Sequence, residues 1–250
     1  MKFCHILTIS GIVILLSIVA VSGTMIIPMS ENGAEHAKAP EYSPVFTDKD
    51  IGRIDFIHYA KPTGVGKPPK TTTCYKLMGV SWKSFPIHYV INPSTHQGLD
   101  ENSVEAAIAE GAETWDDASR QELFADGYST SSTAEYGIRD GWNTIDFGPY
   151  ESSSGVIAVT SVWYYRPTRE IVEFDILFNE YYLWDTAGSE GCMDIQNIAT
   201  HEMGHALGLA DLYTYSCSDV TMFGYSTEGE LKKRSLEQPD IDGLLKIYGS

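Results

Sequence analysis

The stretch Thr-His201-Glu202-Met-Gly-His205-Ala-Leu-Gly208-Leu-Ala-Asp211 constrains this chain more than any other. On a helix, His201 and His205 are four apart and project from one face. Two imidazoles so placed can grip one zinc ion at about 2.0–2.1 Å each. Glu202 follows the first of them, where its carboxylate can reach an activated water without itself binding the metal. Structural zinc sites use four protein ligands, whereas catalytic sites use three and keep a position open, so the third ligand decides between them. Gly208 can take the positive φ that turns a chain out of a helix. Asp211, three residues past that turn, is placed to fold back towards the metal. No histidine follows His205, which leaves Asp211 as the nearest oxygen ligand.

The flanking pattern indicates what surrounds this helix. Phe85 to Asn92 alternates, with Ile87, Tyr89 and Ile91 on one face, and reads as a strand ended by Asn92-Pro93. Asp100 is a helix cap, and Val104, Ile108, Ala112 and Trp115 recur behind it at helical spacing. Trp142 to Phe147 and Val156 to Tyr165 read as strands. Ile171 to Asn179 alternates with Val172, Phe174, Ile176 and Phe178 inward, and Glu173 and Asp175 outward. Met193 to Leu207 reads as a helix. Pro239 to Tyr248 reads as a closing one, with Ile241, Leu244, Leu245 and Tyr248 on its apolar stripe. Strands crossed by one helix and followed by others predict an α+β domain over 74–250.

Ahead of it, Lys2 and the apolar run Ile6 to Val21, followed by Ala20, Ser22 and Gly23, have the layout of a signal peptide over 1–23, or of an uncleaved anchor. The chain is therefore expected to be secreted or held at the cell surface. Residues 24–73 read as a propeptide or linker, with one short strand at Ile54–Tyr59 and a Pro- and Gly-rich stretch over 61–70. Charge is uneven: the chain carries −17 in total, and residues 72–250 hold 28 acidic against 10 basic side chains. That field opposes nucleic acid and anionic lipid as partners. Export permits disulfides, and Cys74, Cys192 and Cys217 allow three single pairings.

The motif His201-Glu202-x-x-His205-x-x-Gly208-x-x-Asp211, with Val220-Thr-Met222-Phe-Gly beyond it, resembles the metzincin clan of metallopeptidases, in which a methionine turn underlies the metal. Taken alone, Met222 would read as a core methionine. Three further segments are similar to the matrixin branch: Trp82 to Asn92 to its first strand, Val172 to Asn179 to its last, and Leu236 to Gly249 to its closing helix. The resemblance covers roughly residues 75–249. It implies a twisted five-stranded mixed sheet with three helices and a substrate cleft across the middle. It also implies that Gly155 to Tyr164 forms the cleft's edge strand, able to hydrogen-bond an extended peptide. Phe223 to Leu231 would wall the pocket for the residue after the scissile bond. In the resembling fold the segment entering the domain lies near the methionine turn, which brings Cys74 within reach of Cys217, with Cys192 as the rival partner. Matrixins usually have a third histidine where Asp211 stands, and the histidines of their second, structural zinc are missing between His96 and His201.

These features together predict a zinc endopeptidase, pictured as a monomer acting on protein or peptide, with Glu202 as general base. Asp175, Asp185 and Asp194 read first as surface charges, with ligation of a structural calcium as the second reading of each. Lys232-Lys233-Arg234 reads as a solvated basic face, with a bias of the pocket towards acidic side chains as the second reading. The competing classes are a non-proteolytic zinc-binding envelope or adhesion protein and a zinc amidase acting on cell-wall amides.

Overall fold

The computed structural model describes residues 48–61, 73–150 and 155–249. The expected signal segment, the stretch up to residue 47 and the linker beyond Lys61 lie outside the described residues. No helix among the described residues is long and apolar enough to cross a membrane.

The architecture is α+β. Its centre is the antiparallel pair β5 (Val156–Tyr165) and β6 (Glu170–Asn179). Residues 156–164 of β5 are all buried, so this β-branched and aromatic strand is covered on both faces. Five strands run in the order β3 (Ser129–Thr130), β2 (Val90–Ile91), β4 (Thr144–Gly148), β6, β5, with β3 at a position where no strand was expected. Two more lie beyond β5 and make the sheet seven-stranded: β1 (Ile51–Ala60), then β9 (Tyr225–Ser226). The expected count of five is corrected because β5 presents an unpaired edge and the chain supplies its own strand to fill it. The sheet therefore draws on residues before 74. A separate two-stranded ribbon joins β7 (Trp184–Asp185) to β8 (Met193–Asp194).

Two local expectations also change. The strand expected from Phe85 shrinks to Val90–Ile91, because Pro86 has no N–H to donate. Ile87 makes only an isolated bridge to Phe124 there, although Ile87, Tyr89 and Ile91 are all buried as expected. Glu173 and Asp175, expected outward, are buried. Loop amides cover them: Asp175 accepts from Gly137 and Thr144, and Glu173 from Asp140 and Gly141. Desolvation raises both carboxyls to about 7.

Helix α1 (Glu101–Asp116) starts at Asp100, whose carboxylate accepts from the Ser103 amide. It packs on α2 (Ile195–Ala206), with Trp115 Nε1 donating to Thr200 O. Helix α3 (Gln238–Tyr248) closes the chain. Its inner face carries Gly243 and Leu244, while Leu245 is 41% exposed, contrary to the expected stripe. The helix is rotated so that Asp240, fully buried, can accept from the Thr221 and Met222 amides.

Candidate active site

Helix α2 is entirely buried through its motif, and each histidine is oriented by a carbonyl. His201 Nδ1 lies 2.7 Å from Thr221 O and His205 Nδ1 2.8 Å from Leu209 O. Carbonyls only accept, so each Nδ1 carries the proton and each Nε2 presents a lone pair. Those two Nε2 atoms point at Asp211 Oδ1, at 3.3 and 3.5 Å. All three atoms are buried and without a hydrogen-bond partner. Three acceptor atoms gathered this closely would be costly unless a cation joins them. Zinc at about 2.0–2.1 Å from each ligand requires tetrahedral edges of about 3.3–3.4 Å, close to the 3.3 and 3.5 Å between Asp211 Oδ1 and the two imidazoles.

The turn that brings Asp211 round depends on Gly208, at φ +97°, where a Cβ would stand 2.5 Å from Val80 O. Ala210 N then donates to Lys76 O, and Tyr213 OH holds the second oxygen of Asp211. Beneath the site, Met222 is buried with its sulfur against Gly204; a Cβ on that glycine would strike the sulfur and stand 2.7 Å from the Trp115 ring. Cys74 is joined to Cys217, which lies in the turn Tyr215–Cys217 ahead of Met222. Cys192, the rival partner, is buried elsewhere.

Electrostatics fit two imidazoles facing a carboxylate anion. Burial takes His201 down to about 3, helped by the charge of Lys233. Burial also opposes charge on His205 and Asp211, but their attraction outweighs it, so His205 is raised and Asp211 sits well below the usual carboxylate range. Burial lifts Glu202 to about 7.

The cleft holds part of the chain itself. Strand β1 runs antiparallel to β5 and parallel to β9 between them. Phe56 stacks on the His205 ring at 4.1 Å, and His58 leans on His201 at 3.9 Å. The Phe56 and His58 side chains of β1 therefore cover the His205 and His201 rings. His58 Nδ1 lies 3.0 Å from Glu202 Oε1, while Thr160 Oγ1 donates to Oε2. His58, His201 and Glu202 make a second set of close donors, but His58 and Glu202 satisfy each other, and the unpartnered atoms, His201 Nε2 included, all belong to the first set. Sequence reasoning missed His58, Phe56, Thr160, Gly204 and Asp240. Only the alternation of Ile54, Phe56 and His58 pointed at a strand.

The carboxylates read as calcium candidates are each engaged within the protein. Asp175 serves loop amides, Asp185 accepts from Gly188 and Ser189, and Asp194 caps α2 and pairs with Arg234. The solvated basic face is likewise corrected. Lys233 is fully buried with its amine on Phe223 O, because successive residues of a tight turn point in different directions.

Residues 81–249 match the sequence profile of Peptidase M10, matrixin. The chain belongs to the matrixin family. This matrixin is 29% identical to the human neutrophil collagenase over 170 residues, 67% of the chain and 33% of that protein. It is 26% identical over 175 residues to the hatching enzyme of Paracentrotus lividus, covering 68% of the chain and 27% of that protein. Karilysin of Tannerella forsythia matches at 26% over 179 residues, 70% of the chain and 34% of that protein. The chain thus spans about a third or less of the length of these relatives.

Proposed function

We propose that this matrixin is an exported zinc-dependent endopeptidase, with residues 24–73 as a pro-segment whose strand β1 keeps the cleft closed until it is removed. The observation that carries the reading is the convergence of three unpartnered buried atoms, beside Glu202, in a groove that already holds an extended peptide. His201, His205 and Asp211 would hold the zinc. When bound, the ion supplies Lewis-acid polarisation of the scissile carbonyl and makes water more acidic.

The chain's own residues do the rest. The edge of β5 and the facing β9 hold an extended peptide by main-chain hydrogen bonds, as they now hold β1. Beyond Ala60 the groove opens into a cavity of about 630 Å³ lined by Gly155, Tyr182, Met193 and Ser226 among others, with room for the peptide to continue. Glu202, steadied at Oε2 by Thr160, takes a proton from the attacking water and returns it to the departing amine. In the present arrangement its other oxygen faces His58, so β1 occupies the base as well as the groove.

The test uses purified protein cut with trypsin after Lys70, the one lysine of 61–70 not followed by proline, with the trypsin then inhibited. Hydrolysis of denatured casein should appear on cutting, vanish with chelator, and fall about 10²- to 10⁴-fold in Glu202→Gln with zinc content unchanged. Equal hydrolysis in all three samples would end the proposal.

A further inference from the structure

The side chain that β1 places in the cleft shows how the adjoining pocket is built. His58 is fully buried, and its ring passes Glu202 to end between Ser226 Oγ at 3.0 Å and Lys233 Nζ at 3.2 Å. With Nδ1 against a carboxylate, the imidazole carries its proton there, and Nε2 is left as an acceptor. The pocket floor therefore acts as a donor.

Lys233 is held in that position from both sides. Its backbone N–H donates to Asn197 Oδ1 on α2, and the neighbouring Arg234 is clamped by Asp194 and Thr186 O. Of the donors on its amine, one is used by Phe223 O and another by His58 Nε2. His201 Nδ1, at 3.4 Å, is committed to Thr221 O and offers no lone pair. Once β1 leaves, the incoming side chain must replace His58 as acceptor or leave a buried ammonium under-satisfied.

Resting on the endopeptidase reading above, we propose that Lys233 is a specificity-determining residue that selects glutamate or glutamine for the residue after the scissile bond. Both side chains place an acceptor oxygen four bonds from Cα, the same reach as Nε2 of histidine. Leucine fills similar space but gives Lys233 nothing to bond, which places peptides with aliphatic residues there at a disadvantage.

The test is a double-mutant cycle on the full chain, read by amide hydrogen exchange in β1, with β6 as the folding reference. With Lys233 present, His58→Gln should keep β1 protected, and His58→Leu should exchange about tenfold faster or more. In the Lys233→Met background that gap should close. A gap of the same size in both backgrounds overturns the proposal. Cleavage sites in denatured casein, mapped by mass spectrometry with the trypsin-activated protein, give the second measurement. Glu and Gln should be enriched after the cut bonds, and Lys233→Met should shift the profile to aliphatic residues; a profile that Lys233→Met leaves unchanged overturns the assignment. Absence of any chelator-sensitive cleavage would instead count against the endopeptidase reading, and the exchange cycle would still decide what the pocket accepts.

Discussion

Replacing Cys74 and Cys217 together with alanine removes a cross-link between residues 143 apart in sequence. Closing a loop of that length lowers the entropy of the unfolded chain by an amount worth about 5 kcal/mol at 25 °C. Residual structure in the unfolded chain reduces this, so a loss of about 3–5 kcal/mol is expected. Cys217 is also buried, and its truncation adds a small cavity. Domains of ordinary stability have only about 5–15 kcal/mol in hand, so this tether is a large share. The local effect reaches the metal site. Just after Cys74, Lys76 O accepts from Ala210 and Leu77 bridges Leu209, which together fix the approach to Asp211. Urea denaturation of the zinc-loaded double variant, beside unreduced wild type, measures the effect, because a reductant would also open the disulfide of Cys192. A loss below about 1 kcal/mol would refute the tether argument.

Other expectations follow from single positions. Gly208→Ala forces a side chain into positive φ against Val80 O; stability should fall by at least about 1–2 kcal/mol and zinc affinity with it, which calorimetric titration would show. Unchanged affinity would mean that the turn does not place Asp211. Glu173 and Asp175 hold protons up to about 7, whereas unfolded they release them near 4.5 and 3.8. Folding then takes up protons between about 4 and 7, so their contribution to stability declines as pH rises through that window, by a few kcal/mol at most. The double variant Glu173→Gln, Asp175→Asn should flatten that slope in melts recorded across the range, and an unaltered slope would contradict the assignment. Asp240→Asn, by turning an amide towards the Thr221 and Met222 N–H groups, should cost about 1–3 kcal/mol, checked by the same melts.

The parts of this protein that were legible in sequence are those where one element carries its own signal. Spacing on helix α2 marked the two histidines that the fold brings against Asp211, Gly208 marked its turn, and periodicity marked β5 and α1. Other features depend on partners far along the chain. Strand β1 sits in what reads as a linker, and its ten residues gain their place only by pairing with β5 more than a hundred residues later. Glu173 and Asp175 alternate like surface residues, yet a loop that precedes them in sequence covers them with amides. A run of three basic residues gives no hint that the middle one is buried, because a tight turn sends neighbours in different directions. Asp240 turned inward for the same kind of reason, moving Leu245 to the surface.

The central claim concerns which side chains share one cation. Zinc K-edge X-ray absorption on the zinc-loaded full chain measures this directly. The account predicts two imidazoles and one carboxylate oxygen from the protein, with one imidazole lost in His205→Ala and no change in His58→Gln. A spectrum with three imidazoles, reverting to two in His58→Gln, would place His58 on the metal in place of Asp211 and contradict the account.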